Sequence, residues 1–365
     1  MEILILQDYL RCGGTEQQSV FLARSWTESR HPARLLTFRP GGALAAPARE
    51  AGLAVQSLQK RDLGLNWWAP GLRRSLRQAS PSLVLCMGRM ANCYGWYLRR
   101  ILPGVPVIAT VRTGKPLPFF YRLSLRQATM VVANSHALGK EVVDRGWVPP
   151  ERLTVIRNAL IRPPVTSREV DEARMLRQEK GTSGPPPVLL KLAMFRPEKN
   201  HQWLIETLAG LPGDWELWLL GDGETRPSCE EWVRRQGLAH KVHFLGQVDN
   251  PVPFLLACDV VVHASLRESL PNALVEAQSL GKPIVAVDVG GVRECFVEGV
   301  SGTLIRPADA EAFRAAVTGW LDSPERRENA VATAQEHFTR SFAAPGQVAA
   351  YLDLFARLTH VTPGP

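Results

Sequence analysis

The sequence lacks the features of a membrane-spanning or exported chain. No apolar run reaches the roughly 18 residues that a transmembrane helix needs, and no low-complexity tract or solenoid-length repeat is present. The first residues, MEILILQDYL, carry neither a basic leader nor a small-residue cleavage site. We therefore expect them to form a strand rather than a signal peptide.

The six cysteines form no C-x-x-C pair and no metal-like cluster. Cys86 and Cys258 lie in apolar, strand-like runs, where a reduced cysteine behaves as a small hydrophobic side chain. The pattern predicts neither disulfides nor a metal site. It favours a reducing cytoplasmic location.

Several catalytic and binding motifs are also missing. The chain has no Walker A sequence, no G-x-G-x-x-G fingerprint, no G-x-S-x-G elbow and no H-E-x-x-H pair. These absences argue against P-loop, dinucleotide-dependent, serine-hydrolase and zinc-protease chemistry.

Charge is spread unevenly along the chain. Residues 1–165 carry a net charge of +14 and residues 166–365 one of −6, which gives +8 overall. Basic residues of the first part cluster in three expected helices, at Arg73, Arg74 and Arg77, at Arg99 and Arg100, and at Arg122 and Arg126. We expect them to attract an anionic membrane surface or a lipid-phosphate acceptor; the alternative is a solvated basic face. No motif indicates nucleic-acid binding.

Apolar runs alternate with helical patterns, and 365 residues suffice for two domains. Strands are expected at 2–7, 33–38, 82–87, 106–111, 129–134 and 153–158, and again at 188–194, 215–221, 241–246, 259–265, 282–288 and 303–307. Helices are expected at 16–30, 66–79 and 348–360. The pattern predicts two doubly wound α/β domains, 1–165 and 188–345, joined by a linker region at 166–187 and followed by a C-terminal helical segment at 346–365.

One stretch, VVVHASLRESLPNALVEAQSLG (260–281), combines a strand, a polar loop and a helix that starts near Pro271. A helix N-terminus is an anion site, most naturally for phosphate. Glu268 and Glu276 flank it with seven residues between them. A carboxylate beside a phosphate is unfavourable unless it accepts hydrogen bonds from hydroxyl groups, which a nucleotide sugar offers on its ribose and its hexose. We therefore expect one glutamate to bind each sugar.

This stretch resembles the Glu, seven residues, Glu signature of the retaining glycosyltransferases of family four. The downstream text GKPIVAVDVGGVRECFVEGVSGTLIRPAD is similar to the family as well. The resemblance implies an α/β, GT-B fold: two doubly wound Rossmann-like domains facing an interdomain cleft, with the C-terminal helix crossing back to the first domain. It also implies that the first domain binds the acceptor and the second the donor.

The segment AMFRPEKNH (193–201) is similar to the family's G-R-L-x-P-E-K-G loop, whose Arg and Lys grip the donor diphosphate. Lys199 matches the lysine, whereas Met194 takes the place of the arginine. We expect Arg196, two residues away, to supply the missing charge.

Two loops of the first domain extend the resemblance. Gly13 and Gly14 precede Thr15, which is expected to cap a helix, and together they resemble the family's GGxE loop near the donor phosphate and acceptor. Arg112 stands where many members have histidine. Because arginine stays protonated it cannot act as a base, so it binds phosphate or hexose, or is an ordinary surface cation.

These interpretations define the expected site. The catalytic candidates are Lys199, Glu268 and Arg196; the donor-binding candidates add Gly14, Arg112, Gly221, Leu270, Asn272 and Glu276; the acceptor-binding candidates are Gly13, Gly14 and Thr15. We expect no cofactor and, without an Asp-x-Asp motif in a suitable loop, no metal ion. The partners would be a UDP or GDP sugar and a glycan or lipid-linked acceptor. The alternatives are a non-catalytic nucleotide-sugar-binding subunit and, more remotely, a sugar-nucleotide epimerase.

Overall fold

The computed structural model describes residues 1–178 and 186–360. It divides into two compact units, one formed by Met1–Ile161 with the C-terminal segment from Ala344 onward, the other by Arg162–Ala343. The predicted linker region 166–187 contains a helix, Ser167–Gln178, and its residues 179–185 lie outside the described residues. Residues 361–365 of the predicted C-terminal segment lie outside them too.

The first unit is built on a parallel sheet with the order β3-β2-β1-β4-β5-β6-β7. Its strands are β1 (Ile3–Gln7), β2 (Ala33–Thr37), β3 (Ala54–Ser57), β4 (Leu83–Cys86), β5 (Val107–Val111), β6 (Met130–Ala133) and β7 (Leu153–Val155). Its helices are α1 (Gly14–Glu28), α2 (Ala45–Glu50), α3 (Leu72–Ala79), α4 (Arg89–Cys93), α5 (Gly95–Ile101), α6 (Phe119–Gln127) and α7 (His136–Asp144), with a 3-10 turn at Pro150–Arg152.

The expected strands of this unit all form, and one further strand, β3, was not predicted. β1 is buried throughout, as an apolar run between two helical layers should be. β3 is an edge strand with the sequence AVQS, and none of its four residues is fully buried. It therefore has no apolar run to mark it.

Three helix starts differ from expectation, and one of them belongs to the last helix, which begins at Ala344 rather than at Val348. α1 begins at Gly14 with Gly13 as its N-cap residue, so Thr15 lies inside the first turn and does not cap the helix. α3 begins at Leu72 rather than Asn66. Pro70 and Gly71 precede it, and Gly71 adopts a φ of 69°, which an α-helix cannot contain, so the helix starts after this residue.

The second unit is built on a parallel sheet with the order β10-β9-β8-β11-β12-β13. Its strands are β8 (Val188–Leu192), β9 (Glu216–Leu220), β10 (Val242–Gly246), β11 (Val260–His263), β12 (Ile284–Val287) and β13 (Gly302–Ile305). Its helices are α8 (Ser167–Gln178), α9 (His201–Ala209), α10 (Arg226–Arg235), α11 (Val252–Ala257), α12 (Asn272–Ser279), α13 (Ala310–Leu321) and α14 (Pro324–Phe342), with 3-10 turns at Pro197–Lys199 and Val292–Glu294.

The last helix, α15 (Ala344–His360), belongs to the first unit. Its Tyr351 and Phe355 rings pack edge-on against Trp26 of α1, with centroids 5.5 and 5.0 Å away. All three side chains are fully buried in the cluster that also contains Ile3 and Ile5 of β1. The C-terminal helix thus completes the core of the N-terminal sheet.

Candidate functional site

The centre of the second sheet is a topological switch point. β8 lies between β9 and β11, and the chain winds outward from it in both directions. The loops that leave the carboxyl ends of β8 and β11 therefore diverge, and this geometry makes the ligand crevice of open α/β sheets. These two loops are the segments 193–200 and 264–271.

Backbone contacts fix the two loops against each other. The Leu266 N–H donates to the Glu198 carbonyl at 2.8 Å. Gly290, after β12, approaches the second loop so closely that a Cβ there would lie 1.9 Å from the Glu268 carbonyl oxygen, and its φ of 54° also favours glycine. The loop that carries Glu268 is thus held by both neighbouring segments.

The two loops bring Lys199 and Glu268 together. Lys199 Nζ donates to Glu268 Oε1 at 2.5 Å, and His263 Nε2, at the end of β11, lies 3.1 Å from the same oxygen. Burial raises the pKa of Glu268, but His263 and Lys199 outweigh it and bring the pKa down to about 2. Glu268 is therefore an ionised acceptor with only 10% of its side chain exposed.

Glu276 lies in α12. Pro271 is the N-cap residue of this helix and does not lie within its first turn. Burial raises the pKa of Glu276 to about 7, while the charge of Arg162 opposes the shift. Arg162 is held nearby by a 3.2 Å hydrogen bond to Ser279. Asn272 opens the helix with an exposed side chain, whereas Leu270 is buried.

Sequence reasoning missed Lys191. This lysine lies within β8 and is fully buried, and its Nζ has no hydrogen-bond partner in the described part of the chain. Burial and the nearby charge of Lys199 lower its pKa to about 7, while Glu268 acts in the opposite direction. The available signal was a charged residue inside the apolar run VLLKLAM.

The other donor candidates of this unit, Gly221 and Arg196, also follow the carboxyl ends of strands. Gly221 follows β9 with a φ of 128°, and a Cβ there would lie 2.1 Å from the Ala193 carbonyl oxygen. Close packing of two loops is therefore a sufficient reason for glycine at this position. Met194 is 43% exposed, and Arg196 is exposed two residues further on.

The candidates of the first unit lie at the ends of β1 and β5. Gly13, Gly14 and Thr15 form the start of α1. Arg112 donates to the Tyr351 hydroxyl of α15 at 2.9 Å and to the Asn158 side chain. These contacts give Arg112 a role inside the unit, and its contact with a donor stays a prediction.

The described residues contain neither a cluster of metal-binding side chains nor a helix suited to cross a membrane. Within 1–178 and 186–360, no three His, Cys, Asp or Glu side chains group closely enough to hold a metal ion. In the same ranges, no helix combines the length and apolarity needed to cross a bilayer.

Two family models match the chain. "Glycosyltransferase Family 4" matches residues 12–160 and "Glycosyl transferases group 1" matches residues 173–337. Together they span most of both units. The chain belongs to the glycosyltransferases of group 1 and family four, which confirms the resemblance seen in the sequence.

Curated relatives are similar over part of their length. The lipopolysaccharide core biosynthesis glycosyltransferase LpsE of Rhizobium meliloti is 31% identical over 236 residues, 64% of this chain and 66% of the relative, just under two thirds. The alpha-D-kanosaminyltransferase of Streptomyces kanamyceticus is 27% identical over 72% of this chain and 73% of the relative.

Solved structures share the fold over nearly the whole chain. The Anabaena protein HepE in complex with UDP superposes with a TM-score of 0.82 at 23% identity, covering 98% of this chain and 100% of that chain. Sucrose-phosphate synthase from Thermosynechococcus elongatus gives 0.81 at 18% identity, covering 99% and 100%. The fold is GT-B, with two Rossmann-like units, as the sequence predicted.

Proposed function

We propose that this protein transfers a sugar from a UDP or GDP sugar to a glycan or lipid-linked acceptor, with retention of the anomeric configuration. The observation that carries the proposal is the pairing of Lys199 Nζ with Glu268 Oε1 at 2.5 Å, where two adjacent strands end. A switch point with a fixed cation, an ionised acceptor and a helix N-terminus suits a ligand that combines diphosphate and sugar.

In this proposal the donor diphosphate contacts Lys199 and the backbone amides at Asn272. When the bond between the anomeric carbon and the phosphate oxygen breaks, negative charge grows on the departing diphosphate, and positioned donors stabilise it. Arg196 adds positive charge that Met194 cannot provide. Gly221 also contacts the donor, and Gly14 and Arg112 are its proposed donor contacts in the first unit.

The two glutamates then orient the sugars. Ionised Glu268 accepts hydrogen bonds from hexose hydroxyls, Leu270 contacts the donor nearby, and Glu276 accepts hydrogen bonds from the ribose. Gly13, Gly14 and Thr15 hold the acceptor. The acceptor hydroxyl gives its proton to the departing phosphate, which leaves from the same face, so retention needs no enzymic nucleophile. Because protein groups neutralise the diphosphate, the reaction is proposed to need neither metal ion nor cofactor.

The setting we propose is cell-surface polysaccharide assembly at the cytoplasmic face of the membrane. Two features support it: the similarity to a protein named for lipopolysaccharide core biosynthesis, and the net charge of +14 over residues 1–165. Anionic lipids or lipid-phosphate acceptors attract such a charge.

A panel of nucleotide sugars tests the proposal. A bound donor raises the melting temperature by mass action, and slow release of UDP or GDP from one donor identifies the transferred sugar. NMR of the glycoside formed on an acceptor reports the anomer, and the same rate in EDTA shows metal independence. Tight binding without release would instead indicate a non-catalytic subunit, and a new sugar epimer would indicate an epimerase.

A further inference from the structure

The first unit exposes several large aromatic side chains. Phe119 and Phe120 at the start of α6 are 65% and 53% exposed, and Trp67 and Trp68 before α3 are 56% and 40% exposed. Soluble surfaces seldom group large apolar side chains, and such groups mark contact sites.

Ring contacts connect Phe119 and Phe120 to the aromatic side chains of α5, and a hydrogen bond connects those to the backbone of Trp67, the neighbour of Trp68. Phe119 lies edge-on to Phe120 at 5.5 Å, and Phe120 stacks on Trp96 at 5.9 Å with an angle of 21°. Trp96 contacts Tyr97, and Tyr97 contacts Tyr94, whose hydroxyl donates to the Trp67 carbonyl at 2.6 Å. We call this set the aromatic face: Trp67, Trp68, Tyr94, Trp96, Tyr97, Phe119 and Phe120.

In the segment that carries the aromatic face, every charged side chain is basic. Between Asp62 and Glu141 the sequence contains 11 Lys and Arg residues and no Asp or Glu. Arg99 and Arg100 at the end of α5 are exposed, and the Arg100 guanidinium lies 5.5 Å from the centre of the Trp96 ring. Arg126 is exposed at the end of α6.

We propose that the aromatic face docks this protein on an anionic lipid bilayer, with Phe119 and Phe120 inserted at the headgroup boundary and Arg99 and Arg100 contacting lipid phosphates. Aromatic side chains favour the membrane interface, and basic residues near it are attracted by anionic lipid. This combination anchors a chain to one leaflet without spanning it.

Charge and geometry favour lipid over two other occupants. A second copy of the chain would bring one basic segment against another, and like charges repel. Single-stranded nucleic acid requires free ring faces for base stacking, whereas one face of Phe120 is covered by Trp96. A lipid surface needs only exposed ring edges and positive charge. The proposal does not depend on transferase activity.

Sedimentation with phosphatidylcholine vesicles, with and without phosphatidylglycerol, tests the proposal on the full chain. We expect binding to the anionic vesicles only, weakening as salt rises. Phe119→Ser with Phe120→Ser should reduce the vesicle partition coefficient at least about tenfold at every salt concentration, because two inserted rings are lost. Phe119→Trp with Phe120→Trp should retain binding, and Met175→Ser, which removes an equally exposed apolar side chain in the second unit, should change nothing.

A charge variant separates the electrostatic part. Arg99→Gln with Arg100→Gln should weaken partitioning roughly tenfold at low salt and flatten its salt dependence, whereas Arg234→Gln with Arg235→Gln in α10 should not. The proposal is overturned if wild-type protein fails to sediment with anionic vesicles at low salt, or if the serine pair binds as well as the wild type. It is overturned equally if the serine pair instead abolishes self-association or binding to single-stranded RNA.

Discussion

The two units share one topology but use the centre of the sheet differently. In both, the chain starts in a middle strand and winds outward on each side. At the β1/β4 junction, Asp8 accepts hydrogen bonds from the Met90 and Ala91 amides at 2.9 and 2.6 Å, so its carboxylate is occupied in capping α4. Burial raises the pKa of Asp8 to about 6.

At the β8/β11 junction the charged groups meet one another instead. Lys199 and His263 both lie against Oε1 of Glu268, and Lys191 is fully buried nearby in β8. The shared fold therefore supplies a crevice, while the chemistry depends on which charges the loops bring to it. Four substitutions test this contrast.

Lys199→Ala should have the largest effect. Removing a positioned cation from a departing diphosphate typically lowers kcat by about 10²–10³-fold. The measurement is the turnover of the donor identified in the panel. Lys140→Ala, which removes an exposed lysine paired with Asp144 in the first unit, serves as the control and should leave kcat within about twofold. If Lys199→Ala were equally active, the second unit's cluster would be structural, like that of the first.

Lys191→Met should raise stability. The pKa of Lys191 is about 7 in the folded chain against an ordinary value of 10.5, so between these values the unfolded chain binds the proton more strongly. Burial of Lys191 therefore costs stability fully below pH 7, and the cost shrinks as pH rises toward 10.5. We expect the variant to gain about 2–4 kcal/mol at pH 7 and little near pH 10.

Urea melts across this pH range measure the difference for Lys191→Met. Lys140→Met, at an exposed position, should show a flat difference. A Lys191→Met variant that is less stable than the wild type at every pH would mean that Lys191 makes a favourable buried contact. Lys191 would then stabilise the fold, and its charge would no longer distinguish the second unit from the first.

Much of this architecture could be predicted because it depends on local pattern. Strand cores such as β1 and β11 are apolar runs that must be buried, and Lys199 and Glu268 stand in loops whose neighbouring residues carry the family resemblance. The fold class and the family were predicted on that basis, and the family models and the solved structures confirm them. Their roles as site residues stay predictions.

The rest depends on contacts between distant parts of the chain. β3 becomes a strand only because β2 offers an edge to pair with. Arg112 and Tyr351 are 239 positions apart, and only the packing of α15 brings them together. Lys191 stood in a run that predicts a strand, but the pattern did not show that its Nζ would be fully enclosed. Long-range register of this kind leaves no mark in local periodicity.

Glu276→Gln should weaken donor binding roughly tenfold, as expected for a charge-assisted hydrogen bond made neutral. Burial raises the pKa of Glu276 to about 7. Because ribose hydroxyls favour the ionised carboxylate, wild-type affinity should rise as pH increases through 7 and level off above it. Calorimetry at pH 6, 7 and 8 measures this profile.

The control for Glu276 must separate its titration from that of Lys191, whose pKa is also about 7. Deprotonation of Lys191 removes positive charge near the donor and therefore lowers donor affinity as pH rises. The difference between Glu276→Gln and the wild type isolates Glu276. Repeating both in the Lys191→Met background should leave that difference unchanged. A variant that binds donor as tightly as the wild type would place Glu276 outside the ribose site.

Tyr351→Phe should have the smallest effect, and it tests whether Arg112 belongs to the first unit's scaffold or to the donor site. The substitution removes only the hydroxyl that accepts from Arg112 Nη2. Losing one hydrogen bond to a charged group should cost about 1.5 kcal/mol or somewhat less here, because the Asn158 contact remains, and the melting temperature should fall by about 2–4 °C. Donor affinity should stay within about twofold, as it should for the control Tyr97→Phe. A loss of donor affinity without a loss of stability would instead mean that Tyr351 positions Arg112 for the ligand, and the two units would then differ less in chemistry than their central strands suggest.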